Sequence, residues 1–407
     1  MISKVVIIND ASIAKGGATG LALLSARLLT NRGIKVCFIS GDAGADFSEF
    51  GGNFSAYPIG EEHILKKSKL QALKSGLYNV RSSNFLKAWI REHDDEKTIY
   101  HVHGWSKILS PSLFNGLARV RNRTVIHAHD FFLACPNGAY MDYKSMQICN
   151  RVPLGYDCIT TNCDKRSYQE KIWRMARQYG LTRSMRNRED WAKILLIHEE
   201  MIPGLKRAGY HPDRLRTIRN PVTPFSDDRV PVEDNSMFFY VGRVEAEKGI
   251  TDLLTAAQSQ NIDLTVIGDG PLLEQLRNQY PQFVFTGWQE SKKIKHHIKN
   301  ARCVVMPSRY PEPFGLVAAE AIKSGIPVIL PDTALLSKDL IAAGSGISFE
   351  SANADALSAA LRKVQAMSRT QIKELSTAAF TNTLVGLSPN DWAEALLATY
   401  EEVLHVQ

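Results

Sequence analysis

The sequence predicts an α/β protein built from two Rossmann-like, doubly wound domains with a cleft between them. Three observations carry this. Short apolar runs recur along all 407 residues, each followed by glycine or polar residues and then a helix-like stretch. Runs of four to eight residues rich in β-branched types, alternating with helical patterns, are the mark of buried parallel strands in βαβ units. The runs fall into two series, and 407 residues exceed what one ordinary core accommodates.

Taken in order, the first series is "KVVIIND", "KVCFISG", "TIYHVHG", "RTVIHAHD" and "KILLIHEE", which places an N-terminal domain at 1–216. Directly after "VIHAHD" comes a cysteine-containing insert, 131–165. The stretch 217–235, "TIRNPVTPFSDDRVPVEDN", is interrupted by prolines and has no periodicity, so it reads as the linker. The second series, "MFFYVGR", "DLTVIGDG", "FVFTGW", "RCVVMPS" and "PVILPD", fills 236–389. Residues 390–407 begin "NDWAEALLATYEEVL", an amphipathic helix with Asn390 or Asp391 as its expected cap.

Composition narrows the class. Apolar residues make up 44% and charged residues 22%, as in globular proteins. No apolar run reaches the roughly 18 residues of a membrane span, and the start "MISKVVIIND" reads as a strand rather than a signal peptide. The expected location is the cytoplasm. Net charge is +7, and residues 1–200 hold 28 Lys+Arg against 19 Asp+Glu. The excess is densest in 165–188, with eight basic residues and one acid. This run is read either as a surface for an anionic partner, such as the headgroups at the inner face of a membrane, or as a solvated helical face. No nucleic-acid module accompanies the charge, so no nucleic-acid partner is expected.

Doubly wound sheets bind ligands beyond the carboxyl ends of their strands, and that is where the candidates lie. Gly16 and Gly17 in "KGGATG" precede a helical run, where bare backbone amides would favour an anion; a plain turn is the alternative. Arg243 and Lys248 in "VGRVEAEKG" suit a diphosphate, or else are surface cations beside Glu245 and Glu247. In "EPFGLVAAE", Glu312 sits in a loop and Glu320 inside the following helix. Between them, the amides of Phe314, Gly315 and Leu316 are helix-start donors suited to phosphate or sugar oxygens. A carboxylate at 320 can accept two hydroxyl hydrogen bonds, as a ribose diol offers. The plainer alternatives are an ion pair of Glu320 with Lys323 and a solvated Glu312.

These motifs, with "VIGDGP" and "FTGW" in order between them, resemble the retaining GT-B glycosyltransferases of glycosyltransferase family 4. The resemblance covers the second domain and is looser in the first, where it rests on "KGGATG" and "VIHAHD". It implies the GT-B fold, with the last helix crossing back to the first domain. It further implies a nucleotide-sugar donor, UDP- or GDP-linked, and a glycan or lipid-linked acceptor of the kind used in surface polysaccharide or glycolipid synthesis. By the same resemblance, Arg243 and Lys248 bind the diphosphate, Glu312 the donor sugar and Glu320 the ribose. The amides of Phe314, Gly315 and Leu316 hold sugar and phosphate. Gly16 and Gly17 approach the phosphates, and His129 lies beside the donor sugar. No Asp-x-Asp occurs in the chain, which fits catalysis with no required cofactor, cations replacing a metal.

Cys135, Cys149, Cys158 and Cys163 are a candidate structural zinc site, against reduced or paired thiols. Their gaps of 13, 8 and 4 residues lack the Cys-x2-Cys knuckles of a clear zinc module. The pairs in "HVHG" and "HAHD" are read as core or cleft histidines. Other readings remain beside the transferase: a noncatalytic nucleotide-sugar-binding partner, or an epimerase or phosphorylase on the same fold. A glycoside hydrolase would use two carboxylates but needs no phosphate cradle.

Overall fold

The computed structural model describes residues 2–14, 16–185 and 188–405. The chain divides into two compact units. One comprises Met1–Ser145, Cys149–Ile218 and Pro389–Gln407, the other Met146–Ile148 and Arg219–Ser388.

The first unit is organised by a seven-stranded sheet. Its spatial order is Phe54–Pro58, Lys35–Ser40, Lys4–Asn9, Thr98–Val102, Thr124–Ala128, Lys193–Leu196 and Leu215–Thr217, with neighbours paired in parallel. The strand order reverses beside Lys4–Asn9, the switch point at which such sheets open toward ligands. The central strands are buried along nearly their whole length, as "KVVIIN" and "TVIHA" are, because helices cover both faces of a parallel sheet.

The second unit has six parallel strands in the order Val284–Gly287, Leu264–Ile267, Met237–Val241, Ala301–Val305, Val328–Pro331 and Gly346–Phe349. All ten expected runs form strands. The α/β, doubly wound expectation therefore holds for both sheets.

The proline-interrupted segment is not a loose tether. Val222, Phe225, Val230 and Val232 are buried in the second unit, and the Val222 amide donates to Leu387 O at 2.9 Å. The last helix, Pro389–His405, starts one residue earlier than the expected caps, so Asn390 and Asp391 lie in its first turn. Proline at a helix start costs nothing, since that amide has no partner to lose. The helix packs on the first unit: Trp392 and Tyr400 are fully buried, Arg32 pairs with Glu394 at 3.1 Å, and Arg216 pairs with Glu402 at 2.6 Å.

Candidate functional site

In the second unit, glycines let three strand-end loops lie directly on one another. A Cβ at Gly268 would sit 1.8 Å from Gly242 O, and one at Gly270 would sit 2.4 Å from Val244 O. The "VIGDGP" loop can therefore rest on the "VGRV" loop only with glycine at both positions. The contact is fastened by the Val244 amide donating to Asp269 O at 2.9 Å. On the other side Gly249 is left-handed, with φ +68°, and a Cβ there would meet Pro307 O at 2.0 Å. The turn carrying Lys248 is thus pressed against the loop that carries Glu312.

The ammonium of Lys248 pairs with Glu312 Oε1, and Ser308 Oγ donates to the same oxygen at 2.7 Å. Lys248 also lies 5.4 Å from the centroid of the Tyr310 ring. Arg309 locks this loop in place by a double hydrogen bond to Asp252, both contacts at 2.6 Å, while its amide donates to Glu247 O. Glu312 is therefore not a solvated loop carboxylate. Arg243 is not brought to this pair: its side chain is 66% exposed and pairs with Glu245 at 2.8 Å.

The helix Leu316–Lys323 follows at once. Its N-cap, Gly315, is left-handed at φ +73°, and no side chain caps it. Among the described residues, no protein acceptor takes the amides of Phe314, Gly315 or Leu316, which leaves the positive end of the helix open. Phe314 is buried, with its ring beside Gly386. Glu320 is half-buried, and burial raises its carboxyl to about 7 against a modest downward pull from Lys295. It forms no ion pair with Lys323, and no side-chain partner is found among the described residues. Two adjoining strand-end loops and the helix after the second thus hold an occupied cation–carboxylate pair, three free amides and one unpaired acid.

Sequence reasoning missed Ser308 and Tyr310, although both flank the quoted motif. It also missed Asn220, assigned to the linker, whose side-chain oxygen Oδ1 is buried without a hydrogen-bond partner. A polar residue amid prolines and apolar positions was the available signal.

In the first unit, Gly16 is the N-cap of the helix Gly17–Asn31, again with no side-chain cap. Its backbone is extended and a Cβ there would meet nothing within 4 Å. Lys15 lies outside the described residues. His129 is one of four contacting histidines. Its Nε2 lies 2.9 Å from His103 Nδ1, while His127 Nδ1 lies 3.3 Å from His101 Nε2. Tyr400 of the last helix reaches His101 Nδ1 at 2.7 Å. Burial holds all four rings neutral, with His101 and His129 pushed down to about 3. Ring nitrogens of His101, His103 and His127 lie within 4.8 Å of one another. Both nitrogens of His101 and His103 are nevertheless engaged in hydrogen bonds, so the group reads as a polar core network rather than a ligand set. His129 Nδ1 is buried and unpartnered. Asp130 does not hold it, since the Asp130 carboxylate accepts from the Phe132 amide at 2.9 Å.

Cys135, Cys149, Cys158 and Cys163 are all buried, all free of disulfides, and line one small cavity. The basic run 165–188 needs correcting as a surface feature. Lys171 and Arg177 are buried, Arg174 pairs with Asp164 at 2.7 Å, and Arg188 lies over the Tyr210 ring. Arg186 and Asn187 lie outside the described residues. Helical periodicity rotates alternate cations of the run inward, where carbonyls, acids and aromatic faces receive them. A more exposed basic and apolar face lies on the neighbouring helix Lys69–Leu77, with Leu65, Leu70, Leu73 and Tyr78 at the surface among Lys66, Lys69 and Lys74.

Comparison with known proteins settles what these strand-end loops belong to. Residues 224–378 match the model of the family described as Glycosyl transferases group 1. The chain carries a glycosyl transferases group 1 domain. Among curated relatives, a glycogen synthase of Mycobacterium tuberculosis is 28% identical over 265 residues, covering 59% of each protein. The chain thus aligns with less than two thirds of that relative's length. Among solved structures, sucrose-phosphate synthase from Thermosynechococcus elongatus matches with a TM-score of 0.71 over 100% of both chains at 15% identity. Anabaena HepE in complex with UDP and glucose matches with a TM-score of 0.66, covering 98% of this chain and 99% of that one at 14% identity. At such identities the likeness is one of fold, and the fold is GT-B. The group 1 match covers the loops bearing Arg243, Lys248, Glu312 and Glu320.

Proposed function

We propose that the protein is a retaining glycosyltransferase that moves a sugar from a nucleotide-diphosphate sugar to a glycan or lipid-linked acceptor, as in surface polysaccharide or glycolipid synthesis. The observation that carries the reading is the grouping on two adjoining loops and one helix: the Lys248–Glu312 pair with Ser308, the free amides of 314–316 and the unpaired Glu320. HepE, a structural relative, has been solved with UDP and glucose, and a UDP- or GDP-sugar suits these groups. In this reading the diphosphate takes Lys248 from Glu312 and swings Arg243 from Glu245. Glu312 is released to the sugar hydroxyls, Glu320 accepts the ribose diol, and Gly16 and Gly17 offer bare backbone to phosphate. His129 Nδ1, buried without a partner, is offered to a sugar hydroxyl.

The chemistry follows from charge. The bond from the anomeric carbon to the diphosphate oxygen breaks, and negative charge gathers on the leaving phosphate. Fixed cations and helix-start amides stabilise that charge. The new carbon–oxygen bond to the acceptor forms on the same face, and the acceptor's proton passes to the leaving phosphate oxygen. No step needs a metal.

The exposed leucines and lysines of 65–78 support peripheral contact with an anionic membrane surface, where lipid-linked acceptors reside. Among the described residues no helix is long and apolar enough to cross a membrane.

The test is a panel of UDP-, GDP- and ADP-sugars, assayed for binding and then for slow nucleotide release without acceptor. Binding of one donor class with hydrolysis supports the reading. Binding without turnover under any acceptor would favour a noncatalytic binder, and no binding at all would remove the proposal.

A further inference from the structure

We propose that Cys135, Cys149, Cys158 and Cys163 hold a metal centre as thiolates, with the buried ammonium of Lys171 as part of its charge balance. The site stands apart from the strand-end loops above and does not depend on the transferase reading.

The segment that carries the four cysteines is poor in regular structure. Between residues 131 and 165 it has two two-residue strands, Met141–Asp142 and Gln147–Ile148, and one short helix, Tyr156–Thr160. Even so, the four thiols, Cys158 from the short helix and the others from irregular chain, reach one cavity and are each at most 8% exposed. Its backbone is held by scattered turn and loop bonds, such as the Cys149 amide to Tyr140 O at 2.6 Å and the Tyr143 amide to Cys163 O at 3.2 Å, and not by a long helix or an extended ladder. Metal ligation is one of the few cross-links that can order such a segment.

The decisive group is Lys171. It is 1% exposed, and its ammonium donates to Cys163 Sγ at 2.9 Å, Cys158 O at 2.7 Å and Thr161 O at 3.1 Å. No carboxylate pairs with it among the described residues. A buried ammonium without a counter-charge is strongly disfavoured, and the thiols are the groups beside it that can become anions. Arg151 donates to Cys149 Sγ at 3.5 Å and to Asp142 at 3.1 Å, and Arg207 donates to Cys149 O at 3.1 Å. Three cations less one carboxylate leave a net charge of +2 around the cavity. Four thiolates on a zinc dication, or on a doubly positive iron–sulfur core, carry −2. The Asp164–Arg174 pair nearby adds nothing to the sum.

No three of the sulfurs lie mutually within 4.8 Å. Around a lone zinc, with bonds of about 2.3 Å, they draw together; around an iron–sulfur cluster, also held by four cysteines, they stay apart. Both are thiolate metal centres, and metal analysis separates them.

The test uses the full chain purified under nitrogen from cells supplied with zinc and iron. Elemental analysis, labile-sulfide assay and thiol counting in denaturant are read together. About one zinc per chain, or iron with matching labile sulfide, supports the proposal, with the metal lost in Cys158→Ser or Cys163→Ser. Lys171→Met should shed its metal to a chelator at least about tenfold faster while melting as a folded protein. Metal-free protein with all six cysteines reacting as thiols, or with the four paired as disulfides, would overturn the proposal. So would equal metal retention in folded Lys171→Met, as regards the charge balance.

Discussion

Lys248 and Glu312 lie far apart in the sequence, yet their side chains form an ion pair where two strand-end loops touch at Gly249 and Pro307. The pair holds a cation and an anion in readiness, each masking the other until a competing anion arrives. Neither side chain is more than about a fifth exposed, so both exchange partners in a partly desolvated setting where charge counts for more than in water.

Removing the cation should therefore damage turnover more than folding. Lys248→Ala is expected to lower kcat by on the order of 10²-fold or more with an activating donor, and Arg243→Ala likewise, through lost stabilisation of the leaving phosphate. Steady-state kinetics with whichever donor the nucleotide-sugar panel selects check this. Unchanged kcat in both variants would remove the two cations from the mechanism.

Glu320 gives a pH signature. Its folded value, about 7, lies above the ordinary 4.5, so folding favours the protonated acid. Its favourable contribution is complete below about pH 4.5 and is lost as pH rises through 7. Glu320→Gln should flatten that part of the stability profile and be the more stable protein at pH 8, by on the order of 1–3 kcal/mol. Urea unfolding across this range measures it. Nucleotide affinity should move oppositely, rising from pH 6 to 8 in the wild type and staying low and flat in the variant. A wild type with no slope in either assay would contradict the burial argument.

The four histidines act with the opposite sign. Burial depresses their folded values below the ordinary 6.5, to about 3 for His101 and His129. The stability they contribute is present above pH 6.5 and is lost as pH falls toward 3. Tyr400→Phe leaves His101 Nδ1 without its partner and should cost about 1–3 kcal/mol at pH 8. Chemical denaturation followed by circular dichroism reads this directly, and a neutral substitution would show that the Tyr400–His101 hydrogen bond adds nothing to the packing and ion pairs that hold the last helix.

Binding to anionic vesicles should depend on Lys69–Leu77 rather than on the run 165–188. Leu70→Ser with Leu73→Ser, or Lys69→Glu with Lys74→Glu, is expected to reduce co-sedimentation several-fold. Wild-type binding should weaken as salt rises, because exposed charges are screened beyond about 10 Å at 0.1 M. Equal binding of all forms would place membrane contact elsewhere.

Legibility in the sequence followed burial. The ten runs that form strands are mostly central and mostly apolar. Of the strands not foreseen, Phe54–Pro58, Leu215–Thr217 and Gly346–Phe349 lie at the edges of the two large sheets and are only partly buried, while Met141–Asp142 and Gln147–Ile148 are two residues each, too short to leave a pattern. An edge strand is solvated on one side and loses the continuous apolar signature. At the site, motif spacing placed Glu312 in a loop and Glu320 in a helix. It could not show that Lys248 reaches Glu312 while Arg243 turns to Glu245, since those partnerships depend on how loops from different strands lie on each other. The basic run was misread for a related reason: charge density is visible in one dimension, but Lys171 and Arg177 are inside.

The first unit draws on both ends of the described chain, with the second unit's residues 219–388 threaded between. A ribosome that has released residues up to Ile218 has made a sheet whose histidine face still waits for Trp392 and Tyr400. The middle of the polypeptide can mature before the beginning does. Nascent chains stalled just short of Pro389 would be expected to engage chaperones through that bare face.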